Sequence, residues 1–257
     1  MSVSSRYPRH IRLIVEYDGE GFAGWQRQPH RPSIQQALEE AVAAVCGPDV
    51  GHSTVTGAGR TDAGVHASGQ VASFFTEATV PAEKWAPALN TRLVPAIRVV
   101  ESREVAAQFH PRKDAIAKRY EYHVWTRPTA SALERRVLHV PYPVDWVSVS
   151  EAARIFIGRH DFKSFQAADA TTKTSVREIF RFDVRREPPH RVVFDIEGNG
   201  FLKQMVRTIV GTLLDVGTGR RTLDDVRSCL EARDRRSAGR TVPASGLFLR
   251  EVRYGDG

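Results

Sequence analysis

Cysteine is scarce in this chain. Cys46 and Cys229 are the only two among 257 residues, they lie far apart, and each sits in a segment with helical spacing. That excludes a dense disulfide framework and a CxxC metal pair, and both are expected to be reduced packing residues. No apolar run approaches the roughly 20 residues a membrane-spanning helix needs, so no membrane protein is expected. The opening stretch MSVSSRYPRH has basic residues but lacks the apolar core of a signal peptide, and it predicts a cytoplasmic protein. His66 and His160 stand without an HExxH frame or a compact Cys/His set, so no metal is expected. A flexible Gly/Ser linker is missing as well.

What is present describes a globular, basic protein. Hydrophobic residues make up 41% and charged residues 26% of the chain, as in ordinary folded domains. The length suits one large domain or two small ones sharing an interface. The formal charge of +7 suits a polyanionic partner such as nucleic acid, although basicity alone also occurs in proteins that bind nothing acidic.

The pattern of apolar residues divides the chain into two similar halves. Ile11, Leu13 and Val15 alternate as in a strand, and Ile34, Ala37, Leu38, Ala41, Val42 and Val45 recur at helical spacing behind a potential Ser33 cap. Two strand-like stretches around a glycine-rich segment, a helix over residues 82–91 and a strand from Ile97 complete a βαββαβ order. In the second half, AIAKRYEYHVW reads as a strand with Lys118, Tyr120, Tyr122 and Val124 on one face, and Arg119, Glu121, His123 and Trp125 on the other. Helices over 149–157 and 201–216, strands over 176–185 and 191–197, a short helix from Leu223 and a strand over 247–252 repeat the plan loosely. The expected fold is therefore α+β, with two fused ferredoxin-like or RRM-like βαββαβ lobes, antiparallel sheets and a cleft between them. The boundary is expected near residues 110–113, giving lobes 1–111 and 112–257, with an open sheet face available to RNA.

The segment GAGRTDAGVH, residues 57–66, carries the most chemical information. Its three glycines permit tight turns and close backbone approach, and Arg60 and Asp62 set opposite charges two residues apart. A dinucleotide fingerprint would need glycine where Asp62 stands, no Gly-Lys-Ser/Thr follows, and VHASGQVASF alternates like a strand instead of opening a helix. A phosphate-cradling cofactor loop is thereby disfavoured, and a tight turn with a solvated Arg/Asp pair remains the bland alternative.

The full string resembles the catalytic motif of the tRNA pseudouridine synthase A (TruA) family. Similar resemblances run through YDGEGFAGWQRQP, GQVASF, KRYEYHVW, HDFKSFQAADA, GNGFLKQMVRTIVGTLLDVGTGR and PASGLFL, so they span nearly the whole chain. The resemblance implies that Asp62 is the nucleophile that attacks the target nucleotide, after which the glycosidic bond breaks, uracil rotates and a carbon–carbon bond forms at C5. It places Arg207 beside that nucleophile, gives Arg60 a part in positioning the nucleotide, and makes Tyr120 and Leu247 substrate contacts, with Tyr120 packing on the base. It further implies no cofactor, a homodimer, and a tRNA partner engaged at positions 38–40 of the anticodon arm. Ala96, where the family often carries aspartate, departs from the pattern without touching these residues.

Read without the resemblance, Arg207 would cover apolar surface with its stem, and Tyr120 and Tyr122 would be buried strand neighbours. Several arginines, among them Arg177, Arg181, Arg185 and Arg186, are candidates for phosphate contact, though each singly reads as a solvated charge. A tRNA-binding or RNA-folding protein without catalysis is the competing function.

Overall fold

The structure, a computed structural model, describes residues 7–255. Residues 1–6, on which part of the signal-peptide reading falls, lie outside the described residues. Two compact units make up the chain: residues 1–116 joined by 249–257, and residues 117–248.

The first unit contains β1 (Arg9–Tyr17), α1 (Ile34–Cys46), β2 (Thr56–Gly57), β3 (His66–Thr76), α2 (Trp85–Asn90) and β4 (Ile97–Glu104). The second contains most of β5 (Ala115–Trp125), then β6 (Leu138–His139), α3 (Trp146–Arg154), β7 (Gly158–Asp161), β8 (Val176–Glu187), β9 (Arg191–Gly198), α4 (Met205–Gly217) and α5 (Leu223–Ala232). The last strand, β10 (Leu247–Tyr254), starts in the second unit and ends in the first.

In the first unit the strand order is β4-β1-β3-β10, with β2 beside β3. β1 pairs antiparallel with both β3 and β4. Ile11, Leu13, Val15 and Tyr17 are buried at alternate positions along β1, as a period of two requires for a strand with one face on a core. α1 lies over that core. Its Ser33 cap accepts a hydrogen bond from the Gln36 amide, and Ile34, Leu38, Ala41 and Val42 are buried. Trp85 at the start of α2 meets the Phe74 ring edge-on at 5.0 Å. The β1–β3 register shifts between Val15 and Tyr17, so the regular ladder ends close to where the glycine-rich loop enters β3.

The second unit orders its strands β5-β9-β8-β7, all antiparallel. Tyr120 opposes Ile196, and Tyr122 opposes Phe194, which puts these two tyrosines on the face they share by the alternation. The spacing-based prediction of a helix over 201–216 needs correction at its start. Gln204 takes a left-handed conformation with φ of 62°, which a right-handed helix cannot continue through, so α4 begins at Met205. The apolar stripe of Met205, Val206, Ile209, Val210, Leu213 and Leu214 is buried as the spacing requires. α3 begins three residues before the predicted 149, because the Asp145 side chain accepts hydrogen bonds from the Val147 and Ser148 amides and caps it there. α5 opens with a full capping box between Thr222 and Asp225.

Among the described residues no helix is long and apolar enough to cross a membrane. Both cysteines are free thiols, with Cys229 buried. Leu213→Ala, at a fully buried position of α4, is expected to lower stability by about 2–5 kcal/mol, read as a lower urea midpoint at unchanged m-value. A loss below about 1 kcal/mol would show that α4 is not packed as described.

Candidate active site

The loop around Asp62 is fastened to the first unit along most of its length. β2 pairs with Ala72 and Ser73, and the Ala58 amide donates to the Val71 carbonyl at 2.7 Å. Further on, the Trp25 amide donates to the Thr61 carbonyl at 3.1 Å, and the Val65 amide closes a turn on the Asp62 carbonyl at 3.1 Å. The side chain of Thr61 meets the Tyr17 hydroxyl at 2.9 Å. Burial raises the Tyr17 phenol to about 12, against the opposing hydrogen bonds from Thr61 and Gln70, so it stays neutral at physiological pH. Asp62 itself is half-buried, and Arg60 is exposed.

Gly24 makes this fastening possible. Its φ is +95°, and a Cβ there would stand 2.5 Å from the Thr61 carbonyl oxygen, so a side chain would both strain its own backbone and push the motif loop away. The glycine-rich GEGFAGW segment is thus a partner of the GAGRTDAG loop, a long-range pairing that no local pattern marks. Nothing in the spacing of Tyr17 and Gln70 marks them for the site either. Their polar ends became visible as parts of the site once β1, β3 and the loop were brought together.

In the second unit Arg207 and Tyr122 bond the segment leading to Leu247. The Arg207 Nε donates to the Val242 carbonyl at 2.8 Å. The Tyr122 hydroxyl donates to the Pro243 carbonyl at 2.9 Å. Burial pushes the Tyr122 phenol well above its ordinary range, against the pull of the Arg207 and Arg240 charges, so it remains a donor. Gly246 packs under this side chain, where a Cβ would come within 2.9 Å of the Tyr122 ring and of the His123 carbonyl oxygen. Tyr120 is buried with its ring edge-on to Phe201 at 5.0 Å, and Leu247 is buried too. Arg207 is half-buried, and its bond to Val242 gives it a structural duty that helical spacing did not disclose.

The other face of the second unit's sheet is a lattice of charges. Arg119 grips Asp195 with two hydrogen bonds of 2.8 and 2.7 Å and reaches Glu121 at 3.0 Å. Arg185 also bonds Glu121, at 3.1 Å, and Arg181 pairs with Asp183 and Asp195. Burial alone would raise the Asp195 carboxyl, but the Arg119 and Arg181 guanidiniums outweigh it and hold the group below the ordinary carboxylate range. That face of the sheet therefore carries arginine–carboxylate pairs whose Arg181 and Arg185 side chains stay partly exposed. A concavity of ≈ 330 Å³ lies elsewhere in the unit, lined by Arg159, Thr174, Val176, Arg177, Glu178 and Asn199. Among the described residues no group of three or more His, Cys, Asp or Glu side chains is arranged to hold a metal ion.

Comparison with known proteins places this α+β chain among enzymes that modify RNA. A family model described as tRNA pseudouridine synthase matches residues 13–112 and 152–255. A tRNA pseudouridine synthase A of Acetivibrio thermocellus is 44% identical over 247 residues, covering 96% of this chain and all of that protein. The proteins of the same name from Solibacter usitatus and Myxococcus xanthus are 46% and 45% identical, each over 96% of this chain. The chain belongs to the tRNA pseudouridine synthase family.

The close approach at Gly24 yields a direct test of the loop's fastening. Gly24→Ala is expected to destabilise the protein by about 1–3 kcal/mol and to reduce pseudouridine formation, measured by denaturant titration and by a tRNA assay. Wild-type stability in that variant would mean that the loop does not depend on this contact.

Proposed function

We propose that the chain isomerises uridine to pseudouridine in the anticodon arm of tRNA with Asp62 as nucleophile, working as a cytoplasmic homodimer. The observation that carries the reading is the family match over nearly the whole chain, with the Arg60–Asp62 loop held at Thr61 by backbone and side-chain bonds. A carboxylate suits the task, because it can attack an electrophilic sugar or base carbon and then leave, provided it is ionised. Arg60 and Arg207 offer guanidinium donors that orient the nucleotide. Tyr120 provides an aromatic face for the extruded base, and Leu247 an apolar contact.

The reaction balances within the nucleotide. The bond from C1′ to N1 is exchanged for one from C1′ to C5, the C5 proton departs, and N1 gains a proton. No oxidant or external group enters, so the protein's work is to cleave, hold, rotate and rejoin.

Asp62→Asn removes the nucleophile at nearly constant shape. Pseudouridine formation in a single turnover on saturating, unmodified tRNA should fall to the detection limit, while tRNA binding stays near wild type. Appreciable turnover by a sample free of wild-type enzyme would falsify the assignment.

Affinity for tRNA should also fall with salt as phosphate contacts release counterions. Arg159 and Arg177 line a concavity, where Arg177 also donates to the Thr174 and Val176 carbonyls, and Arg181 and Arg185 bond carboxylates on the sheet face. Substituting Arg159 and Arg177 with Gln is therefore expected to reduce the log–log salt slope by about 1–2. The same change at Arg181 and Arg185 should alter it less. The reverse ranking would show that the paired face carries the RNA.

A further inference from the structure

Gln70 on β3 is completely buried, yet it is not fully satisfied. Its amide nitrogen donates to the Gly59 carbonyl at 2.9 Å and lies 3.4 Å from the Tyr17 hydroxyl. Because a carbonyl only accepts, the bond to Gly59 fixes which end of the amide points there. The other end, Oε1, is enclosed and has no hydrogen-bond partner among the described residues. An orphaned buried acceptor opposes folding, and an apolar side chain of similar volume would avoid it. What the amide does provide is a hold on the motif loop. Gly59 is bonded directly, and Thr61 is reached through Tyr17, whose hydroxyl stands 2.9 Å from the Thr61 hydroxyl. These two anchor points bracket Arg60 and adjoin Asp62.

We propose that Gln70 is a positioning residue for the isomerisation: through Gly59, and through Tyr17 to Thr61, it sets the placement of the Arg60–Asp62 loop. The proposal rests on Asp62 being the nucleophile. Packing and positioning make opposite demands at Gln70, which is what allows them to be told apart. If the amide served packing, replacing it with Met would loosen the core and leave chemistry in the surviving folded protein unaltered. If it positions the loop, Met removes the orphaned oxygen together with the hold.

The experiment compares wild type, Gln70→Met, Gln70→Glu and Tyr17→Phe in denaturant unfolding, tRNA binding and single-turnover pseudouridine formation. Gln70→Met, which removes the unsatisfied oxygen but also the donor to Gly59, is expected to stay cooperatively folded and to bind tRNA within about twofold, but to react at least about tenfold more slowly, since small misplacements of a reacting group are expensive. Gln70→Glu can donate to Gly59 only when its buried carboxyl is protonated. Its rate relative to wild type should therefore rise as pH falls, which a purely structural role would not produce. Tyr17→Phe should slow the reaction and add little to Gln70→Met in the double variant.

A wild-type rate in Gln70→Met overturns the proposal, and so does a Gln70→Glu pH profile parallel to wild type. If Gln70→Met does not fold, the Gln70→Glu profile and the Tyr17→Phe rate decide. An active Asp62→Asn removes the reading beneath the proposal, whereas an inactive Asp62→Asn beside a fully active Gln70→Met removes the proposal alone.

Discussion

Thr61 is held at its carbonyl by the Trp25 amide and at its hydroxyl by Tyr17, and the placement of its neighbour Asp62 depends on those two bonds. A loop residue usually keeps considerable backbone freedom. Here the loop begins as a strand paired with β3, ends as the first residue of β3 itself, and is pinned between by a segment that only Gly24 lets come close enough. The rigidity of the sheet is thereby passed to a carboxylate that belongs to no regular element.

A comparable device operates in the second unit with different chemistry. Arg207 and Tyr122 bond consecutive carbonyls, those of Val242 and Pro243, and so fix the approach to Leu247. The tyrosine can do this because burial keeps its phenol protonated, and the arginine because its guanidinium offers several donors at once. Tyr120, two residues before Tyr122 on the same strand face, is held by Phe201. Phe201 lies before the left-handed Gln204 that precedes α4.

The basic charge of the chain is unevenly available. Arg119, Arg181 and Arg185 surround a nearly inaccessible Asp195 and its neighbour Glu121. Removing one partner from such a cluster leaves the other charge without compensation, so these arginines are tied to the sheet. Net charge describes the long-range field that attracts a polyanion. Where each guanidinium stands relative to the carboxylates is a local matter that net charge does not show.

By itself the sequence determined the α+β class, the order of most elements and the chemical character of the Asp62 loop. Those features are local: alternation in Ile11, Leu13 and Val15, helical spacing from Met205 to Leu214, and a string of residues whose resemblance to a family is carried by adjacent positions. It also placed the aromatic and charged faces of β5 correctly, because a strand's period of two leaves no other choice. Only the tertiary structure decided that Gly24 and Thr61 touch, that Gln70 is buried with an unsatisfied oxygen, that Arg207 and Tyr122 bind consecutive carbonyls, and that Arg119 grips Asp195. Each of these joins residues far apart in the chain, and no periodicity encodes such a pairing. The start of α4 belongs with them, since nothing in the spacing of Phe201 and Leu202 distinguishes a helical turn from a segment held by contacts elsewhere in the fold.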